Sequence, residues 1–157
     1  MARKIIVIGA GAAGMTAAST AKNRDPEAEV TVFTEDVDVA YSPCAIPWGI
    51  EGKIAWDEIV MHSPEWYGKE RGIKILTETK VDSVDDAAKT VTAAGNTYNY
   101  DSLVIATGGR VFVPPIAGSD LKNVFIVRTV TDGKNIQKAL SDAETVVIGG
   151  AGVIGLE

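Results

Sequence analysis

The chain has 157 residues, of which 46% are hydrophobic, and this combination supports one domain with a buried core and excludes an intrinsically disordered protein. Its net charge is -6 without any cluster of lysine and arginine, which argues against binding to nucleic acid or to an anionic membrane surface. Cys44 is the only cysteine, so internal disulfides are excluded, and we expect a reducing, cytoplasmic location.

The first 35 residues have the pattern of a strand, a helix and a second strand. The apolar run KIIVIG is typical of a strand buried on both faces of a parallel sheet. The segment AAGMTAASTAKNR predicts a helix that ends at Asp25, because Pro26 cannot continue it, and AEVTVFTED predicts the second strand. The composition of this N-terminus also fits a secretory signal peptide, but the spacing of its glycines argues against that alternative.

Gly9, Gly11 and Gly14 form a GxGxxG motif between the first predicted strand and the first predicted helix. In dinucleotide-binding proteins the first glycine allows a tight turn, the second lets the backbone approach a pyrophosphate, and the third lets helix and strand pack closely. The phosphates then lie at the helix N-terminus. A carboxylate after the second strand contacts the ribose, and Glu35 is the candidate, although Thr34 stands where many such chains have the acid.

The segment 37–57 contains Cys44 between two prolines and is too interrupted by glycine and proline for a regular strand or a long helix. The residues directly after the cysteine are compatible with the start of a short helix, with Pro47 in its first turn. A further short helix is predicted between Ser63, as the N-cap, and Gly72, as the terminator.

The next part of the chain is rich in β-branched residues. IKILTETKVDSVD, KTVTAAG and NTYNYDSLVIAT are predicted as strands, and the apolar end SLVIAT indicates a return to the original parallel sheet. NVFIVRTVTDGKNIQKALSD is predicted as a strand followed by a helix, and TVVIG as a further strand. The pattern therefore indicates a parallel sheet with a β-rich insert.

A second GxGxxG motif consists of Gly150, Gly152 and Gly155. Two such motifs imply two dinucleotides, for example a bound flavin and a diffusing nicotinamide. Because only two residues follow Gly155, we expect no helical turn there and no turnover of NAD(P)H by these 157 residues alone. The sequence is therefore interpreted as the front part of a longer enzyme, with its apolar C-terminal tail disordered or paired with another chain.

Three further segments resemble parts of a known family. TYNYDSLVIATGG is similar to the segment that re-enters the flavin domain of FAD-dependent pyridine nucleotide-disulfide oxidoreductases, and VFVPPIAG is similar to the connector after it. AYSPCAIPW resembles the active-site segment of one branch, the coenzyme A-disulfide reductases, NADH oxidases and NADH peroxidases. That branch uses a single redox cysteine instead of a CxxxxC pair. The resemblance covers essentially the whole chain.

The resemblance implies an α/β fold: a Rossmann-like FAD-binding domain with a parallel sheet, helices and an inserted small antiparallel β-meander. It also implies three regions along the chain. These are the FAD-binding domain at 1–115, a connecting segment packed on it at 116–144, and the start of an NAD(P)-binding domain at 145–157.

The resemblance further implies which residues contact the cofactors. Val81 would lie beside the adenine and Arg128 near the flavin, while many members have asparagine at the position of Pro43. The residues implied to bind a cofactor are Gly9, Gly11, Ala12, Ala13, Gly14, Thr34, Glu35, Ser42, Pro43, Val81, Ala106, Thr107, Gly108, Arg128, Gly150, Gly152 and Gly155.

From the residues alone, a single cysteine in an apolar segment is also compatible with a buried structural role. The resemblance instead implies that Cys44 is the redox centre, because a thiolate beside a flavin can alternate between its reduced form and a mixed disulfide or sulfenic acid. It implies that NAD(P)H, a diffusing co-substrate, reduces FAD, and that electrons pass through Cys44 to a small-molecule disulfide (such as coenzyme A disulfide), peroxide or oxygen. The whole enzyme is expected to be a homodimer.

Two alternatives stay open at this point. One is a non-catalytic sensor module that binds FAD or NADH, and the other is a thiol-independent flavoprotein of the monooxygenase or ferredoxin-reductase type. We expect no metal site, because one histidine and one cysteine lack the spacing of a ligand set. His62 is expected at the protein surface, close to the start of a helix.

Overall fold

A computed structural model describes residues 1–156. The first 35 residues form the predicted strand, helix and second strand. The strands are β1 (Lys4–Ile8), β2 (Glu29–Phe33), β3 (Ile73–Leu76), β4 (Val81–Asp85), β5 (Thr90–Ala93), β6 (Asn96–Asn99) and β7 (Ser102–Ile105). The α-helices are α1 (Ala12–Arg24), α2 (Ile46–Glu51), α3 (Trp56–Ile59), α4 (Pro64–Arg71), α5 (Val130–Leu140) and α6 (Val153–Leu156), and a 3₁₀ turn covers Pro43–Ala45.

Four strands form a parallel sheet in the order β3-β2-β1-β7. The central strand β1 pairs with β2, where Lys4 lies opposite Glu29, and with β7, where Ile5 lies opposite Ser102. The chain therefore moves from β1 outward to β2 and β3 and later returns to the other side of β1. The predicted re-entry of SLVIAT into the parallel sheet is confirmed.

The other three strands form an antiparallel sheet in the order β4-β5-β6, which is the predicted β-meander, and the predicted α/β fold class is confirmed. IKILTETKVDSVD was predicted as one strand but forms two, β3 and β4, in different sheets. Glu78 lies between them with φ +49°, and a non-glycine residue in that conformation interrupts an extended strand. NTYNYDSLVIAT likewise divides into β6 and β7.

Both faces of the parallel sheet are covered, because neighbouring side chains of a strand lie on opposite faces. Val7 belongs to a buried cluster that includes Ala18 of α1. Its neighbour Ile6 belongs to a second cluster with Phe33 of β2 and Val91 of β5. The helix therefore covers one face and the antiparallel sheet the other, which explains why β1 is apolar at successive positions.

The contacts divide the chain into two compact units. The first unit combines Met1–Tyr41 with Val60–Gly109 and contains both sheets, α1 and α4. The second unit combines Ser42–Ile59 with the chain from Arg110 onward and contains α2, α3, α5 and α6. The predicted boundaries at residues 115 and 145 separate the FAD-binding domain, the connecting segment and the start of the NAD(P)-binding domain. These boundaries stay predictions.

Helix α4 has the predicted caps at both of its ends. The Ser63 hydroxyl accepts a hydrogen bond from the Trp66 amide at 3.3 Å at the start of α4, and Gly72 ends that helix with φ +62°. At α5, Thr129 and Asp132 form a reciprocal capping box. Among residues 1–156, no helix combines the length and the apolar character needed to cross a membrane.

Two apolar segments that were predicted as strands have irregular backbone. They are NVFIVR at 123–128 and TVVIG at 145–149, and they expose side chains such as Phe125 and Val147, the latter at 90%. A strand needs a neighbouring strand to satisfy its backbone hydrogen bonds, and neither segment has one within residues 1–156. Both strand predictions are therefore wrong for the described part of the chain.

Candidate dinucleotide site

The turn after β1 requires glycine at its first position. Gly9 has φ +108°, and a Cβ at this position would collide with the carbonyl oxygen of Ala106. The Gly9 amide donates a 2.7 Å hydrogen bond to the Phe33 carbonyl, and the Ala106 amide donates one of 2.7 Å to the Ile8 carbonyl. The turn is therefore held between the carboxyl ends of β2 and β7.

The N-terminus of α1 has the properties of an anion-binding site. Gly11 is the N-cap, without a side-chain hydrogen bond to the helix, and no acidic residue occupies the first turn. The first amides of a helix have no partner within the helix, so those of Ala12 and Ala13 are available to phosphate oxygens. A Cβ on Gly11 would meet no atom within 4 Å, so open space lies in front of this turn.

Gly14 serves a different purpose from Gly11. It is buried, and a Cβ on Gly14 would collide with the carbonyl oxygen of Gly9. Gly14 therefore allows α1 to approach the turn after β1, as the motif predicts.

The two candidates for the ribose contact, Thr34 and Glu35, follow β2 and differ in their exposure. Thr34 is 7% exposed and its Oγ1 accepts a hydrogen bond of 3.2 Å from the Asp36 amide, while its own amide donates to the Leu76 carbonyl at 3.0 Å. Glu35 is exposed. Thr34 therefore stabilises the local turn, and Glu35 is the carboxylate that solvent and ligands can reach at this edge.

The other predicted FAD contacts of the first unit lie near the same edge or on the neighbouring sheet. Ala106, Thr107 and Gly108 directly follow β7, and Gly108 has φ +68°. Because β2 and β7 flank β1 on opposite sides, the carboxyl ends of β1 and β7 form a topological switch point, the usual place for a ligand in such sheets. Val81, in β4, packs against the second core cluster.

Cys44 is a free and exposed thiol in the second unit. It lies in the 3₁₀ turn Pro43–Ala45, where the Ala45 amide donates to the Ser42 carbonyl at 3.0 Å. The turn leads directly into α2, which has Pro47 in its first turn. The predicted short helix after the cysteine is confirmed. Ser42 and Pro43 are exposed as well, and Arg128 is an exposed residue directly before the N-cap of α5.

The second glycine motif has the same local geometry as the first. Gly150 has φ +133°, a Cβ on Gly155 would collide with the Gly150 carbonyl oxygen, and a Cβ on Gly152 would meet no atom within 4 Å. The helical turn that we did not expect here is present as α6, in which the Gly155 amide donates to the Gly152 carbonyl at 3.0 Å. Four residues after the motif's second glycine suffice for one turn, so the sequence-based expectation is wrong.

One contact near the cysteine segment has no signal in the sequence. The Ala40 amide donates a 3.0 Å hydrogen bond to the Ala10 carbonyl, between the first two glycines of the motif, and Ala40 has φ +54°. Alanine rarely adopts this conformation, so composition and spacing do not reveal it. His62 is half-buried and stacks on Trp66 with ring centroids 3.7 Å apart, as a neighbour of the α4 N-terminus.

Comparison with known proteins identifies the class to which these features belong. The sequence profile of the pyridine nucleotide-disulphide oxidoreductases matches residues 3–157, and the chain belongs to this family. The family implies FAD and NAD(P)H as cofactors, and the uncapped glycine turn at the switch point fits a dinucleotide pyrophosphate.

Two curated relatives have the names of enzymes in the branch that the sequence resembles. The chain is 49% identical to an NADH oxidase of Methanocaldococcus jannaschii, over 98% of this chain and 36% of that protein. It is 38% identical to an NAD(P)H coenzyme A polysulfide/persulfide reductase of Pyrococcus horikoshii, over 100% of this chain and 36% of that protein. The predicted resemblance to this branch is confirmed, and the chain spans about a third of the length of these relatives.

Solved structures give the same result. A water-forming NADH oxidase from Lactobacillus brevis superposes with a TM-score of 0.91 at 28% identity, over 99% of this chain and 36% of that one. An NAD-dependent persulfide reductase from A. fulgidus superposes with a TM-score of 0.85 at 32% identity, over 88% of this chain and 27% of that one.

Proposed function

We propose that this chain is the FAD-binding part of an NAD(P)H-dependent oxidoreductase that uses Cys44 as its redox centre. Electrons would pass from NAD(P)H through FAD to the Cys44 sulfur and on to a small-molecule disulfide, a peroxide or oxygen. We further propose that the whole protein is a homodimer in the cytoplasm. The names of the relatives, an NADH oxidase and a coenzyme A polysulfide/persulfide reductase, support oxygen and coenzyme A-linked sulfur compounds as acceptors.

Most of the residues of the first unit that are assigned to FAD follow the carboxyl ends of strands in the parallel sheet. The amides at the start of α1 would bind the pyrophosphate, with Gly11 leaving room for it, and Glu35 would accept hydrogen bonds from the ribose. Ala106, Thr107 and Gly108 would line the pyrophosphate and flavin, and Val81 the adenine. Arg128, Ser42 and Pro43 would contact the flavin, and the second glycine motif would serve NAD(P)H. When bound, FAD supplies hydride acceptance and electron transfer, while the protein supplies orientation.

Cys44 has the properties that a thiol-based redox role needs. It is exposed, it is the only cysteine of the chain, and it lies in a turn that leads into a helix, so a reaction partner in solution can reach its sulfur. Its sulfur could attack a disulfide and form a mixed disulfide while releasing a thiolate, or be oxidised to a sulfenic acid by peroxide. Neither reaction needs a second cysteine in the chain.

The hydrogen bond from the Ala40 amide to the Ala10 carbonyl is the observation that carries the proposal. It fastens the segment that leads to the cysteine onto the turn assigned to the pyrophosphate. Cys44 follows Ala40 by four peptide units, and a chain of that length spans at most about 14 Å. The covalent chain therefore keeps the Cα atom of Cys44 within about 14 Å of the Cα atom of Ala40.

Two measurements test the proposal. Titration of the apo-protein with FAD, followed by flavin fluorescence, should give saturable binding, whereas folded protein that binds another nucleotide but not FAD would contradict it. Cys44→Ser should leave FAD affinity nearly unchanged, because replacing sulfur by oxygen changes little volume. In the whole enzyme it should abolish thiol-disulfide turnover while direct flavin oxidation by oxygen persists. A wild-type disulfide reductase rate would exclude the assignment of Cys44 and favour a thiol-independent flavoprotein.

A further inference from the structure

A single side-chain amide links three helices of the second unit. Gln137, in α5, donates through Nε2 to the carbonyl oxygens of Gly49 at 2.8 Å and of Ile50 at 3.3 Å, both in α2. Its Oε1 accepts a hydrogen bond of 2.9 Å from the indole N–H of Trp56, the first residue of α3. Both donor hydrogens and the acceptor of this half-buried amide are thus in use.

The Trp56 ring occupies space that two glycines leave open. A Cβ on Gly49 of α2 would lie 2.7 Å from Cζ3 of the indole, and a Cβ on Gly133 of α5 would lie 2.5 Å from Cη2. Ile46 also lines this space, because the Gly133 Cβ would lie 2.9 Å from its Cγ2. Larger residues at either glycine would displace the ring, so α2, α3 and α5 are matched to one another through Trp56.

Helix α2 depends on these contacts. It has six residues, including Pro47 and Gly49, and helices this short do not persist in water by themselves. The last carbonyl groups of a helix lack partners within the helix, and Gln137 provides one for Ile50. The contacts with Gln137 and Trp56 therefore fix both the conformation and the placement of α2.

We propose that Gln137 and Trp56 are positioning residues for Cys44, whose redox relevance rests on the function proposed above. The 3₁₀ turn that contains Cys44 continues into α2, since the Ile46 amide donates to the Pro43 carbonyl. Whatever fixes α2 therefore fixes the backbone from which the thiol projects. A residue in α5, far along the chain from the cysteine, controls how the sulfur is presented to a reaction partner.

The test compares Gln137→Met, which keeps the size of the side chain but removes its hydrogen bonds, with Asn135→Leu, which changes an exposed amide of the same helix. In Gln137→Met, amide hydrogen exchange in 43–52 should accelerate about fivefold or more, while exchange in β1 stays unchanged. The reaction rate of Cys44, the only thiol, with a neutral aromatic disulfide should shift by about threefold or more toward the rate in the urea-unfolded chain. Asn135→Leu should change neither measurement by more than about twofold.

Unchanged exchange and thiol rates in a folded Gln137→Met variant would overturn the proposal, and so would a wild-type thiol rate equal to that of the unfolded chain. If Gln137→Met does not fold, Trp56→Phe removes one hydrogen bond and keeps most of the ring. In that case a Cys44 reaction rate between that of the wild type and that of the unfolded chain would support the proposal. An unchanged rate would overturn it. Retained turnover in Cys44→Ser would instead contradict the redox function and leave the positioning result intact.

Discussion

The backbone amide of Ala40 donates a hydrogen bond to the carbonyl oxygen of Ala10 across a distance of 3.0 Å. Ala10 is 4% exposed and lies inside the glycine turn, whereas Ala40 lies in an irregular segment with φ +54°. A non-glycine residue keeps such a backbone conformation only when surrounding contacts impose it. The hydrogen bond is one of those contacts, so the glycine turn and the segment before the cysteine are coupled.

Substitution of Ala40 tests this coupling. Ala40→Pro removes the donor and cannot adopt a positive φ, so the free energy of unfolding should fall by more than about 1 kcal/mol and FAD should bind more weakly. Ala40→Gly keeps the donor and adopts this φ readily, so its free energy of unfolding should stay within about 1 kcal/mol of wild type. Urea denaturation and FAD titration measure both effects. Equal behaviour of the two variants would show that the hydrogen bond does not matter.

The glycines of the first motif should differ in what they affect. Gly14→Ala brings a methyl group into the Gly9 carbonyl and should lower the free energy of unfolding by about 1–3 kcal/mol. Gly11→Ala points into open space and should leave that free energy within about 0.5 kcal/mol of wild type, yet weaken FAD binding by occupying the phosphate space. Wild-type FAD affinity in Gly11→Ala, measured by flavin fluorescence, would place the pyrophosphate elsewhere.

The second glycine turn should not suffice for nicotinamide chemistry in this chain. Within residues 1–156 the turn and one helical turn are present, but the preceding TVVIG segment is not paired in a sheet. NADH added anaerobically to the FAD-loaded chain should therefore bleach the flavin no faster than it bleaches free FAD. Dithionite, which reduces bound flavin without a nicotinamide site, is the control. Rapid and saturable bleaching by NADH would mean that nicotinamide binds at another place.

Acid should remove one exposed ion pair beside the β-meander. The hydrogen bond from Lys89 lowers the pKa of Asp86 below its ordinary value of 3.8, with Nζ and Oδ1 2.7 Å apart. The contribution of this pair to stability is therefore present above that ordinary value and is lost as pH falls through the folded-state pKa. Asp86→Asn should lower the urea midpoint slightly at about pH 7 and not at about pH 2. Asp82→Asn removes an exposed charge from β4 and should show no such difference.

The sequence predicted the parts of the fold that depend on local periodicity. β1, α1 and β2 were recognised because an apolar run, a glycine turn and an alanine-rich segment follow one another within 33 residues. The same rule failed for NVFIVR and TVVIG, since an apolar β-branched run becomes a strand only where a neighbouring strand pairs with it. The division of IKILTETKVDSVD was missed because nothing about Glu78 as a residue type indicates a positive φ.

The candidate site was predictable where a motif describes it. Gly9, Gly11 and Gly14 occupy the positions that the motif requires. The sequence left both Thr34 and Glu35 open for the ribose contact, and in the structure Glu35 is exposed while Thr34 is buried. Gln137 was missed, because its three hydrogen bonds join helices that are far apart in sequence and its type is ordinary on a helix surface. Contacts of this kind depend on the tertiary structure and leave no periodic pattern.

The placement of β7 beside β1 sets the order in which the site can be completed during synthesis. The Lys4 amide, at the start of β1, donates to the carboxylate of Asp101, 97 positions later. The pairing of β1 with β7 therefore joins parts of the chain that are far apart in sequence, and such contacts form late in folding. β2 can pair with β1 as soon as both leave the ribosome, whereas β7 and the Ala106 that closes the glycine turn follow much later. Until then one edge of the central strand stays open to other nascent chains. The dinucleotide turn is thus completed only after β7 has been synthesised, so we expect FAD to bind after most of the first unit has folded.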